Sequence, residues 1–74
     1  MNKLCDLKVG EKAKIVALWH QGGLRRRLFD IGLINGTEVE CLGASPLGDP
    51  KAYLIRGAVI AIRSTNACEV EISR

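Results

Sequence analysis

Seventy-four residues leave room for one domain, 1–74, and none for a core plus a separate catalytic lobe. Hydrophobic residues make up 47% of the chain and recur along its whole length, which argues against disorder, yet they never form the ~20-residue run of a membrane-spanning helix. The net charge of +3 is uneven: residues 1–37 hold seven Lys/Arg against three Asp/Glu, residues 38–74 four against five. Such a basic half suits an acidic protein surface, anionic headgroups or nucleic acid, or simply solubility.

Leu7-Lys8-Val9-Gly10-Glu11 reads as a lead-in turn, and Lys12 to Leu18, rich in Ala, Ile and Val, as the first strand. Trp19-His20-Gln21-Gly22-Gly23 breaks it, with Trp19 expected in the core at the end of the strand. Leu24, Leu28 and Ile31 then fall at i, i+4 and i+7, one face of a helix over Leu24–Ile31. Arg25, Arg26 and Arg27 must lie mostly off that face. At about two turns this helix is stable only when docked, because isolated helices below ~12–15 residues are marginal. Gly32 suits a left-handed cap, and Asn35-Gly36 a turn into a second strand, Thr37 to Leu42. Ser45-Pro46-Leu47-Gly48-Asp49-Pro50 is a loop. Lys51 to Arg56 and Ala58 to Arg63 are strands three and four, separated by Gly57 alone and joined by a hairpin turn that uses Arg56, Gly57 and a neighbour. Ser64 to Cys68 suits a 3₁₀ turn, and Glu69 to Ser73 a fifth strand with Val70 and Ile72 inward and Glu69 and Glu71 outward. The pattern is mainly β with one short helix. A small five-stranded SH3-like barrel is the familiar arrangement at this length, and closure removes exposed strand edges.

The run from Leu24 to Val39, LRRRLFDIGLINGTEV, resembles the signature of the FeoA family: a basic pair, Arg-Leu, a small turn, Gly-Leu, two residues, Gly and a β-branched position. Pro46, Gly48-Asp49-Pro50, Arg56-Gly57 and Ile60-Ala61-Ile62-Arg63 follow in the order and spacing of that family, and Ala67 and Val70 stand where its closing turn and strand would be. Phe29 and Asn35 occupy positions where Leu and Pro are common. The resemblance covers Leu4 to Ile72 and implies an SH3-like barrel with a cytosolic accessory role in bacterial ferrous-iron uptake. It also implies a partner, FeoB, a membrane permease with a GTP-binding domain. The same barrel closes iron-dependent repressors of the DtxR type, but this chain has no room for their DNA-binding domain.

Six residues are candidates for contacting such a partner. Arg25, Arg26 and Arg27 offer guanidinium donors to carboxylates, and their ~100° spacing around the helix gives them different roles, with Arg27 expected to pack over the barrel. Asp49 sits in a turn where it either accepts backbone N–H groups or touches the partner. Arg56 and Arg63 flank the hairpin and face either Asp or Glu residues of this chain or an acidic partner. His20 with Cys5, Cys41 and Cys68 is the one conceivable metal set, but the four are scattered, so no metal and no cofactor is expected. The cysteine pattern and the interrupted N-terminus suggest a cytosolic chain with reduced thiols. No nucleophile–base set and no phosphate-cradling Gly-rich loop is present, so an enzyme is not expected. Two other readings stay open: a small basic barrel on nucleic acid, for which three aromatics offer few stacking platforms, and a peptide-binding SH3-type adaptor. The sequence leaves the oligomeric state open.

Overall fold

The computed structural model describes residues 2–73. Strands β1 (Asn2–Lys3), β2 (Lys12–Leu18), β3 (Glu38–Ala44), β4 (Lys51–Ile55), β5 (Ala58–Ile62) and β6 (Val70–Ser73) form one sheet. Its order is β1-β6-β2-β3-β4-β5, and every pairing is antiparallel. Helix α1 (Gly22–Asp30) bridges β2 and β3, and a single turn, α2 (Ser64–Ala67), bridges β5 and β6.

Alternation along the strands decides what is inside. Ala13 and Ile15 of β2, Val39 and Cys41 of β3, Tyr53 and Ile55 of β4 and Val70 and Ile72 of β6 are all buried. Two register shifts, between Ile15 and Ala17 against β6 and between Cys41 and Gly43 against β4, interrupt the ladders. Bulges of this kind bend a strand and raise its twist, which lets a short sheet curl around its core. The Arg56-Gly57 turn has φ of +51° and +82°, so both central residues are left-handed as a type I′ hairpin requires.

Helix α1 docks through Leu28, which is buried, with Leu24 and Ile31 half-buried against the same core. Its end is a Schellman motif: Leu33 N–H donates to Leu28 C=O at 3.1 Å and Gly32 N–H to Phe29 C=O at 3.1 Å. Gly32 has φ +111°, and a Cβ there would lie 2.5 Å from Arg56 Cδ, so glycine is required both for conformation and for space.

Four expectations need correction. A sixth strand is present, β1, which pairs Asn2 with Ile72 and Lys3 with Glu71. Two residues carry no periodicity, and their strand exists only because β6 is there to pair with. Ser64–Ala67 forms a turn of α-helix, not 3₁₀, since Ala67 N–H reaches Arg63 C=O at 2.9 Å and Cys68 N–H reaches Ser64 C=O at 2.9 Å. Trp19 is 63% exposed, because the strand ends one residue earlier and the indole lies on the surface, where its Nε1–H donates to Glu71 Oε1 at 3.2 Å.

The fourth correction concerns the thiols. Cys5 and Cys68 form a disulfide across a sequence separation of 63, with Cα atoms 5.0 Å apart. The β1–β6 pairing and the 3₁₀ turn at Leu4–Asp6, packed beside α2, bring them to bonding distance. Cys41 is free and buried. Leu4 and Leu7 of this N-terminal strap are fully buried, Tyr53 Oη donates a long 3.5 Å hydrogen bond to Leu4 C=O, and Lys51 Nζ lies 3.4 Å from the carbonyls of Cys5 and Leu7.

Candidate partner-docking site

The basic face of α1 carries three of the six sequence candidates. Arg25, Arg26 and Arg27 are all exposed, and among the described residues no carboxylate lies within ion-pair distance of them. Arg25 places its guanidinium carbon 5.8 Å from the centroid of the Phe29 ring, one turn along the helix. Phe29 is 48% exposed, so an aromatic face and two free arginines share one shallow hollow with Gly22 and Asp30. Arg25 and Phe29 also border β2 at Ala17 and Leu18. Arg25 lies over an aromatic ring because Phe29 stands four positions on.

The six candidates divide into two groups. Arg56, in the β4–β5 turn, runs its aliphatic stem past Gly32 at the end of α1, so it adjoins the helix. Its neighbours in a groove are Lys12, Glu38, Glu40 and Leu54, a mixed-charge surface. Asp49 and Arg63 lie at the opposite end of the same hairpin, next to the Lys51–Ile62 pair. There Asp49 Oδ1 accepts the Ser64 N–H at 2.8 Å, and its own carbonyl accepts the Ser45 hydroxyl at 2.7 Å. Asp49 therefore ties the Ser45–Pro50 loop to the start of α2. Arg63 is exposed at the N-cap of α2.

Buried polar chemistry lies elsewhere. The His20 ring is fully enclosed, with Nε2 2.6 Å from Asn66 C=O, so this nitrogen carries the proton and donates. Nδ1 is left without a partner among the described residues, and Glu69 Oε2 stands 3.6 Å from Nε2. Among the described residues no group of three His, Cys, Asp or Glu side chains converges as metal ligands would. Among the described residues Tyr53 is the one group whose acidity is clearly displaced: burial first, then the nearby Cys41 and Asp49, push its phenol up to about 12. Sequence reasoning passed over His20 as a structural group and placed Trp19 inside. The signal available was the break at Trp19-His20-Gln21, which leaves open which of two adjacent residues points inward.

The FeoA domain family matches residues 2–74, nearly the entire chain. The chain belongs to the FeoA domain family. A solution structure of the FeoA protein from Chlorobium tepidum superposes with a TM-score of 0.90 at 32% identity, over 96% of this chain and 68% of that one. A FeoA crystal structure from Stenotrophomonas maltophilia, described as a prokaryotic SH3 domain protein complexed with zinc, aligns with a TM-score of 0.87 over 99% of this chain and 91% of that one. At 22% identity that likeness shows the fold, an SH3-like one. The chain is also 29% identical over 70 residues to a fusion of Fe(2+) transport protein A with the Fe(2+) transporter FeoB from Porphyromonas gingivalis. It covers 8% of that fusion's length. Within this FeoA domain, no helix of the described residues is long and apolar enough to cross a membrane.

Proposed function

We propose that this FeoA domain is an accessory protein of ferrous-iron uptake that works in the cytosol by binding the cytosolic part of a FeoB-type permease. The observation that carries this reading is the P. gingivalis fusion, in which a domain of this kind and a FeoB transporter are one polypeptide. A covalent link raises the effective concentration of one module at the other, which is useful where the two engage each other. The exposed Arg25–Phe29 pair with Arg26 is the docking face, Arg27 and Arg56 extend it, and carboxylates on the permease are its targets. Asp49 shapes the loop that leads to α2, and Arg63 lies away from the helix face. The domain contributes no catalytic group. It acts by binding one conformation of the permease more tightly than another.

The test is binding to full-length FeoB in lipid nanodiscs, with and without GTP analogues, comparing wild type with the double variant Arg25→Glu/Arg26→Glu. Loss of at least tenfold in affinity, with an unchanged unfolding midpoint, is expected. Equal binding by both proteins would move the interface off α1. No binding by the folded wild-type domain would overturn the reading.

A further inference from the structure

The free edge of the sheet is built to accept another strand. Strand β5 ends the strand order and pairs only with β4 among the described residues. The Arg56-Gly57 turn fixes which of its backbone groups are left over. In a two-residue hairpin the flanking pair, Ile55 and Ala58, exchanges both hydrogen bonds, so Ala58, Ile60 and Ile62 are bonded to β4. The N–H and C=O groups of Val59 and Ala61 therefore point away from β4, toward solvent. Natural edges are usually blunted by lysine, proline, inward charge or a bulge. The segment Ala58-Val59-Ile60-Ala61-Ile62 has none of these, and no register shift interrupts its pairing with β4.

The outer face beside this edge is apolar as well. Val59 is 66% exposed, and with Ala61 it lines a shallow groove with Leu42, Ala44, Pro50 and Ala52. Charge brackets the edge: Arg56 lies just before it and Arg63 just after, both exposed. In an antiparallel pairing of two copies centred on Ile60, Arg63 of one copy would face Gly57 of the other, directly beside Arg56. That brings like charges together at both ends of the ladder, an unfavourable arrangement.

We infer that the β5 edge binds an extended, β-branched peptide segment with carboxylates at its two ends, which adds to the sheet as a seventh strand. The incoming backbone bonds to Val59 and Ala61, alternate side chains pack beside the Val59 and Ala61 side chains at the rim of the apolar groove, and the terminal carboxylates meet Arg56 and Arg63. This surface shares only Arg56 with the α1 face, and the inference does not rest on the permease reading.

The probe is a synthetic peptide of alternating Val and Thr closed at each end by a pair of Glu, titrated into the full chain and followed by amide NMR shifts and hydrogen exchange. Slowed exchange at the Val59 and Ala61 amides is expected, with saturable binding. Ala61→Pro, which removes an N–H not used within the fold, should weaken binding at least tenfold while leaving the unfolding midpoint within a few degrees. Arg63→Glu should weaken the Glu-ended peptide several-fold and favour a Lys-ended one. Peptide shifts located elsewhere, equal binding by Ala61→Pro, or no binding at millimolar peptide would overturn the inference. So would concentration-dependent dimerisation that protects Val59 and Ala61 without peptide, which would make a second copy the occupant.

Discussion

Two regions of this small domain hold their conformations for opposite reasons. Residues 22–33, helix α1 and its cap, are specified by their own residues: apolar positions one turn apart, arginines between them, and a glycine at the left-handed end. The strap at residues 2–7 is specified by residues far along the chain. It pairs with Glu71 and Ile72, bonds to Cys68, and lies over Tyr53 and Lys51. The helix is a local structure that docks, whereas the strap exists only when the rest of the sheet has formed. Its fully buried Leu4 and Leu7 close the core, so the last region to be specified is also one on which the core depends.

Cutting the strap's covalent tie gives the largest expected effect. In a chain-entropy description, a link across 63 residues restricts the unfolded state by about 4 kcal/mol, and native disulfides of small domains contribute about 2–5 kcal/mol. Reduction, or Cys5→Ser with Cys68→Ser, should lower unfolding free energy in urea by about 2–4 kcal/mol while the transition stays cooperative. A change below about 1 kcal/mol would show that burial of Leu4 and Leu7 holds the strap without the bond. In a reducing compartment, where thiols are kept reduced, that residual stability is what the domain would rely on.

Perturbing the local region should cost less. Gly32→Ala forces a left-handed φ of +111° on a residue with a side chain and drives its Cβ against the Arg56 stem. A loss of about 1–3 kcal/mol is expected by chemical denaturation. Adding Arg56→Ala removes the contact and should restore only part of it, because the backbone strain stays. Full recovery would mean that steric contact, not conformation, is what glycine serves there.

The difference between the regions explains what the sequence disclosed. Strand β2 and the inward pairs Val39/Cys41 and Val70/Ile72 follow from the local apolar pattern, and a tight hairpin from Arg56-Gly57. Its type I′ geometry rests on the positive φ of both residues in the structure. The SH3-like fold and the family were legible because such local signals recur through the chain in a familiar order. Strand β1 and the Cys5–Cys68 bond were not, because no residue between 2 and 7 announces a partner some sixty positions away. The candidate site divides in the same way. That Arg25, Arg26 and Arg27 leave the buried face of α1 was a matter of helical spacing, but which one meets an aromatic depended on Phe29, and Arg56 joined the helix only through the hairpin's placement. Asp49 found its partner, Ser64 N–H, across a loop whose path the sequence does not state.

The smallest expected effect tests the strap from the core side. Tyr53 is buried under Leu4, and its phenol is held up at about 12, against about 10 in an unfolded chain. A raised acid favours the folded state while it is neutral. The stabilisation it represents is therefore complete below pH 10, and it is lost as the pH climbs from 10 through 12, where the unfolded chain has released the proton and the folded one has not. Wild type should lose about 1–2 kcal/mol more than Tyr53→Phe across that window, measured as the difference between their urea midpoints at each pH. The lysines titrate over the same range, but they are common to both proteins and cancel in the difference. Ionised Tyr53 would set a phenolate against the Leu4 carbonyl, two acceptors with no proton between them, so the strap should loosen first. Faster exchange of the Leu7 amide, which bonds back to Leu4 C=O at 3.1 Å, ahead of the amides of α1, is the signature that separates this from general alkaline unfolding.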